Sequence, residues 1–201
     1  MRTQALVLST AMAITISMMA ATAAHAQVLF SEDWEAYTVG QLPTGASNDW
    51  STHSGTTGPD IVDVAGNKRL QLTTSQSADV SRALGSNFDP GVSAAPLYAG
   101  FDLYITSGTD MSATGGYVAH FRNNATSFIG RVWVRNNGSD FSVGLSTSAN
   151  AAAAWASTPL QLNTRYRVVL GLEVVSNVWE ARLWLNPAST TAPPTISDSV
   201  T

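Results

Sequence analysis

Two stretches near the end of the chain alternate apolar and polar residues with a period of two, a pattern that suits a strand and would scatter apolar residues around a helix. In "TRYRVVLGLEV", Tyr166, Val168, Leu170, Leu172 and Val174 fall on one face, with Arg165, Arg167 and Glu173 on the other. "VWEARLWLNP" repeats the pattern, setting Trp179, Ala181, Leu183 and Leu185 against Val178, Glu180, Arg182 and Trp184. Strand side chains point alternately to the two sides, so each run offers one apolar face to a core. Ser176-Asn177 between the runs suits a tight antiparallel hairpin.

A second hairpin is written in "GRVWVRNNGSDFSVGLS", where two alternating runs meet at Asn136-Asn137-Gly138. Asn-Gly supplies the positive φ angles that a two-residue hairpin turn demands. "IVDVA", "KRLQLTT", "ADVSRAL", "YAGFDLYIT" and "GYVAHFR" are further strand candidates, separated by Gly, Asn, Asp, Ser and Pro. The alanine-rich piece at 148–157 is too short to stand as a helix and reads as a loop with at most one turn. Short strands at roughly ten-residue spacing with no helices between them predict an all-β fold, a two-sheet antiparallel jelly-roll sandwich.

The first residues stand apart. Met1-Arg2 is a short basic start, residues 5–21 are mostly apolar, and Ala24-His25-Ala26 offers a small-x-small cleavage site. This reads as a secretory signal peptide over residues 1–26, with the mature chain starting at Gln27 and exported to the extracellular space or cell surface. Thr10, Thr15 and Ser17 interrupt the apolar run, which fits a permanent membrane span of roughly 20 residues poorly, and nothing later is apolar enough to cross a bilayer. What remains is long enough for one domain with a substantial core, set at 27–187, followed by a Ser/Thr/Pro-rich tail at 188–201. There is no cysteine, so neither disulfides nor thiolate ligands are on offer. The formal charge of −4, one more negative without Arg2, comes with no basic patch. A nucleic-acid partner needs a concentrated positive face and is rejected.

The opening "LFSEDWEAYTVGQLPTG", with Asp33-Trp34-Glu35, Tyr37, Gly40 and Trp50, resembles the first strand and loop of concanavalin A-like, laminin-G-like jelly rolls of bacterial exported proteins. "FIGRVWVRNNGSDFSVGLSTS" and "LNTRYRVVLGLEVVSNVWEARLWLNP" resemble the central hairpins of the same group. The resemblance implies the sandwich fold. It leaves function open, because this superfold hosts lectins, glucanases, lyases and adhesive modules.

Glu32, Asp33 and Glu35 crowd into four positions. On a strand Asp33 and Glu35 share a face, and three readings stand side by side: a solvated polar edge, a structural calcium site built on Asp33 and Glu35 with loop carbonyls, or a glycosidase acid pair. Glucanases of the resembled fold carry Glu-x-Asp-x-x-Glu, which does not occur here. His120 in "GYVAHFR" shares a strand face with Val118 and Arg122 by simple alternation, with Tyr117, Ala119 and Phe121 opposite. The resembled lyases use a His, a Tyr and an Arg on one sheet, but their Gln-x-His and Tyr-x-Lys motifs are missing. Trp133 lies between Arg131 and Arg135 on one strand face, a mixed stripe of the kind that binds sugars by stacking them on an aromatic ring. Arg131, Trp133 and Arg135, joined by His120 and Arg122 if the strands pair, are the candidate ligand face.

The expectation is a secreted, non-catalytic module that binds carbohydrate or mediates adhesion. The rivals are a polysaccharide-active enzyme of the same fold and a structural surface component. A last expectation is that the chain is a partial product: residues 195–201 have little apolar content to cover a sheet, which would leave an unpaired edge along a first strand at 28–36.

Overall fold

A computed structural model describes residues 28–45, 49–85, 96–109, 111–122 and 127–199. The expected signal peptide and its cleavage site lie outside the described residues. In chain order the strands are β1 (Gly40–Gln41), β2 (Trp50–Ser54), β3 (Asp60–Val64), β4 (Asn67–Gln71), β5 (Asp79–Arg82), β6 (Leu97–Tyr104) and β7 (Gly116–Arg122). There follow β8 (Phe128–Asn137), β9 (Asp140–Ser146), β10 (Ala154–Trp155), β11 (Leu160–Gln161), β12 (Arg165–Val175), β13 (Val178–Leu185) and β14 (Ile196–Ser199). No helix occurs among the described residues, and every strand pairing is antiparallel.

Two sheets form the body of the molecule. One runs β14-β13-β12-β6 and the other β10-β9-β8-β7, with β11 also paired to β9. The alternating runs do what their period predicts. Val168, Leu170 and Leu172 of β12 and Ala181 and Leu183 of β13 turn inward and meet Val132, Val134, Phe141, Val143 and Leu145 of the facing sheet. Phe141, Val143, Leu145, Val132 and Leu183 have no exposed surface, so this layer is the hydrophobic core of an all-β, sandwich-like molecule. Two smaller sheets, β1-β3-β4 and the two-stranded ribbon β2-β5, complete the described fold.

Both predicted hairpins are present, one with a shifted turn. Ser176 and Asn177 adopt φ of 52° and 64° between β12 and β13, the pair of positive angles a two-residue turn needs. Between β8 and β9 the outermost pair is Asn137 with Asp140, so the turn residues are Gly138 and Ser139. The positive φ of 76° falls on Gly138 at the first central position. The turn is therefore glycine-first, one residue later than the Asn-Gly turn expected.

Two other expectations need correction. Residues 28–36 form no strand: the chain runs extended and then turns, with Trp34 at φ 67°. Residues 196–199, expected to be too poor in apolar content to cover a sheet, form β14. Ile196 is buried against the core, β14 pairs with β13, and Asp198 ties the strand to the opposite sheet. Its Oδ2 accepts the Thr147 N–H at 2.6 Å and its carbonyl accepts the Thr147 hydroxyl at 2.7 Å. One inward isoleucine is enough to seat a four-residue edge strand when its neighbour also crosses to the other sheet.

Candidate functional site

The opening carboxylates are held by their own neighbourhood. Glu32 is a hub: it accepts the Trp34 N–H (3.1 Å), the Tyr37 hydroxyl (3.1 Å) and the Trp50 indole N–H (3.4 Å), and it pairs with Arg82 at 2.9 Å. Burial, then this bond to Glu32, pushes the Tyr37 hydroxyl above its ordinary pKa. Asp33 accepts the Glu35 N–H, and Glu35 accepts the Lys68 N–H at 2.9 Å. The Lys68 ammonium donates to the carbonyls of Glu35 and Tyr37. Glu32 thus fastens residues 32–37 onto the β2-β5 ribbon and Glu35 onto β4, while Asp33 bonds only within the turn. Among the described residues no three acidic, His or Cys side chains form a metal-holding group.

The stripe predicted from β8 is assembled with its predicted neighbours, in a seam between sheet and ribbon. β7 pairs with β8 so that Tyr117 stands opposite Trp133 and Arg122 opposite Phe128. The register shifts twice along β7, between Tyr117 and Ala119 and again between Ala119 and Phe121. These irregularities turn Tyr117 and His120 to the same face, with ring centroids 5.5 Å apart, where simple alternation separates them. The centre of the stripe is closed to solvent. Trp133 is 6% exposed with its indole N–H on Ser146, and Arg131 is 7% exposed. The Arg131 guanidinium bonds Ala149 O and Asn150 Oδ1 and lies over the rings of Phe128 and Tyr117. Arg135 lies 4.1 Å from the Trp155 ring centre, and Arg122 at the exposed end reaches Ser81. An open sugar-stacking face centred on Trp133 is therefore not what the fold presents.

The β2-β5 ribbon covers the Tyr117 and His120 part of the seam, while Ala149 and Asn150 cap Arg131. Asp79 of β5 accepts the Tyr117 hydroxyl at 2.8 Å; burial, and then this bond, raises that hydroxyl to a pKa of about 12. β2 carries a register shift between Thr52 and Ser54, and the extra residue is His53. Its ring meets His120 edge-to-face at 5.6 Å and Phe128 at 5.4 Å, while His120 stacks on Phe128 at 4.3 Å. His120 Nδ1 donates to the Phe121 carbonyl, which places its proton on that nitrogen. Burial first, and then the Arg122 guanidinium, lower the His53 pKa; burial is also the main cause of the lowered His120 pKa.

The outer face of the other sheet is open. β6 presents Tyr98, Gly100, Asp102 and Tyr104 outward, with both tyrosines close to half exposed. Opposite them on β12 stand Gly171, Val169, Arg167 and Arg165. A β-carbon at Gly171 would lie 3.0 Å from both the Tyr98 and Trp184 rings, so glycine is what lets the two rings lie over the strand. Arg167 lies across Gly100 in the same way and, with Arg165, faces Asp102. The result is a strip of two half-exposed tyrosines and guanidinium donors, with Arg69 of β4 also 5.9 Å from the Tyr104 ring centre.

The chain matches no family model, no curated protein sequence and no solved structure. The site has to be read from geometry. Reasoning from the sequence missed His53 and Asp79, which lie far from β7 in the chain and reach it only because the ribbon folds over. It also missed Tyr98 and Tyr104, whose outward alternation in "YAGFDLYIT" was a signal within reach.

Proposed function

We propose that this chain is an exported, non-catalytic module that binds carbohydrate at a surface, and that a polysaccharide lies along β6 and β12. The supporting observation is the outward strip of Tyr98, Tyr104, Arg165 and Arg167. Pyranose rings lay their C–H faces on aromatic rings, and guanidinium groups donate to hydroxyls or uronate carboxylates. The tyrosines stand six positions apart on one strand, about 20 Å, a span of several sugar units. The alternation and hairpins that resemble concanavalin A-like jelly rolls, and the signal-like start, are consistent with this reading.

A polysaccharide panel screened by affinity electrophoresis and calorimetry tests it. One polymer is bound without cleavage, and replacing Tyr98 and Tyr104 together by alanine abolishes binding while the melting temperature holds. Unchanged affinity in that double variant removes the strip. A polysaccharide lyase is the second reading, favoured by the meeting of Tyr117, His120 and Arg122 on one face. Against it, the Tyr117 hydroxyl is held protonated and donates to Asp79, the wrong state for a base. Release of unsaturated sugars in the panel would reverse the order of the two.

A further inference from the structure

The seam beneath the β2-β5 ribbon contains two histidines that the reading above does not use. Both lie on irregular backbone. His53 is the extra residue of the β2 bulge, and His120 lies at the second register shift of β7 on β8, between Ala119 and Phe121. Bulges re-aim side chains, and here those on opposite sides of the seam bring the two imidazoles together. Neither ring nitrogen of His53 has a hydrogen-bond partner, and both are buried. A neutral imidazole tolerates that position far better than an imidazolium, whose second N–H would also lack an acceptor and whose charge would lack water.

We propose that the ribbon is an acid-sensitive latch: neutral His53 and His120 hold it on the sheet, and their protonation lifts it to uncover Tyr117, His120 and Phe128. The charges facing the pair come from every element of the seam. β7 supplies Arg122 and the Tyr117 hydroxyl, β8 supplies Arg131, and β5 supplies Asp79. Two fixed cations thus face one carboxylate, which already accepts from Tyr117 and Ser54. An added proton on either histidine meets the desolvation cost first, and on His53 the Arg122 guanidinium adds to it.

The sign follows from linkage. Both histidines titrate below the ordinary 6.5 while the ribbon is down and near 6.5 once it is lifted into water. The lifted state therefore binds more protons in the window below pH 6.5. The latch is fully closed above that value and loosens as pH falls through it toward the depressed pKa values.

Hydrogen exchange of the full chain, followed by mass spectrometry between about pH 7.5 and about pH 5, reads the latch directly. After correction for intrinsic exchange, amides of 50–54 and 79–82 should lose protection by up to about tenfold per pH unit for each histidine, while β8, β9 and β12 stay protected. His53→Phe keeps the ring contacts and removes one proton site, so the loss should become markedly shallower. Should that variant not fold, His53→Gln, neutral throughout the range, gives the same readout. Ribbon protection that is flat with pH, or that falls as steeply in the variant as in the wild type, overturns the proposal.

Discussion

Replacing Glu32 by alanine removes the acceptor on which residues 32–37, β2 and β5 converge. The side chain is 12% exposed and serves Trp34 N–H, the Tyr37 hydroxyl, the Trp50 indole and Arg82. A hydrogen bond to a charged group contributes about 1.5–3 kcal/mol when well shielded. The bond to Trp34 counts most, because it holds a tryptophan at a φ of 67° that costs about 1–2 kcal/mol outside glycine. The pair with Arg82 counts least, since Arg82 is partly exposed and keeps Asp49 at 2.8 Å. Together the loss comes to about 2–4 kcal/mol, or roughly 5–15 °C in melting temperature for a domain of this size. Asp33→Ala and Glu35→Ala remove exposed, single backbone contacts and should shift stability by about 0.5 kcal/mol each. Urea unfolding at neutral pH checks the series through the midpoint at constant slope. Equal shifts for all three variants, or a Glu32→Ala shift below that of Asp33→Ala, would refute the hub.

Phe141→Ala empties the most enclosed position between the two sheets and should cost about 3–5 kcal/mol in the same unfolding measurement. Gly144→Ala would set a β-carbon 2.7 Å from the Trp155 ring, so it should displace that indole, visibly in its fluorescence, and cost about 1–3 kcal/mol. Asp198→Ala removes the side-chain acceptor of Thr147 N–H; hydrogen exchange should show β14 fraying while β12 and β13 stay protected.

The parts of the fold legible in the sequence are those where a single period governs. β12 and β13 show this: their inward sets read directly from the alternation, and their turn from Ser176-Asn177. The sequence misleads where an energetic reason lies outside the segment. Residues 28–36 have the composition of a strand edge, yet they turn because Glu32 is recruited by Arg82 and Trp50, from 50 and 18 positions away. β14 has one useful apolar residue and is fixed by Thr147 on the opposite sheet. Neither contact leaves a local trace.

The site shows the same division more sharply. Arg131, Trp133 and Arg135 do share a face, and pairing of β7 with β8 does bring His120 and Arg122 beside them. Strict alternation then assigns Tyr117 to the core side, and one extra residue in the register reverses that assignment. Because the side-chain period is two, a single bulge changes which side chains can meet, and a bulge has no sequence signature as firm as a turn glycine. Exposure was harder still to foresee. Whether a tryptophan between two arginines is a binding platform or a covered floor depends on Tyr117, turned onto it by the register shift, and on the loop at Ala149 and Asn150 that caps Arg131. The ribbon, from much earlier in the chain, adds Asp79 on Tyr117 and His53 against His120 and Phe128, so that among the described residues the exposed tyrosines are on the other sheet.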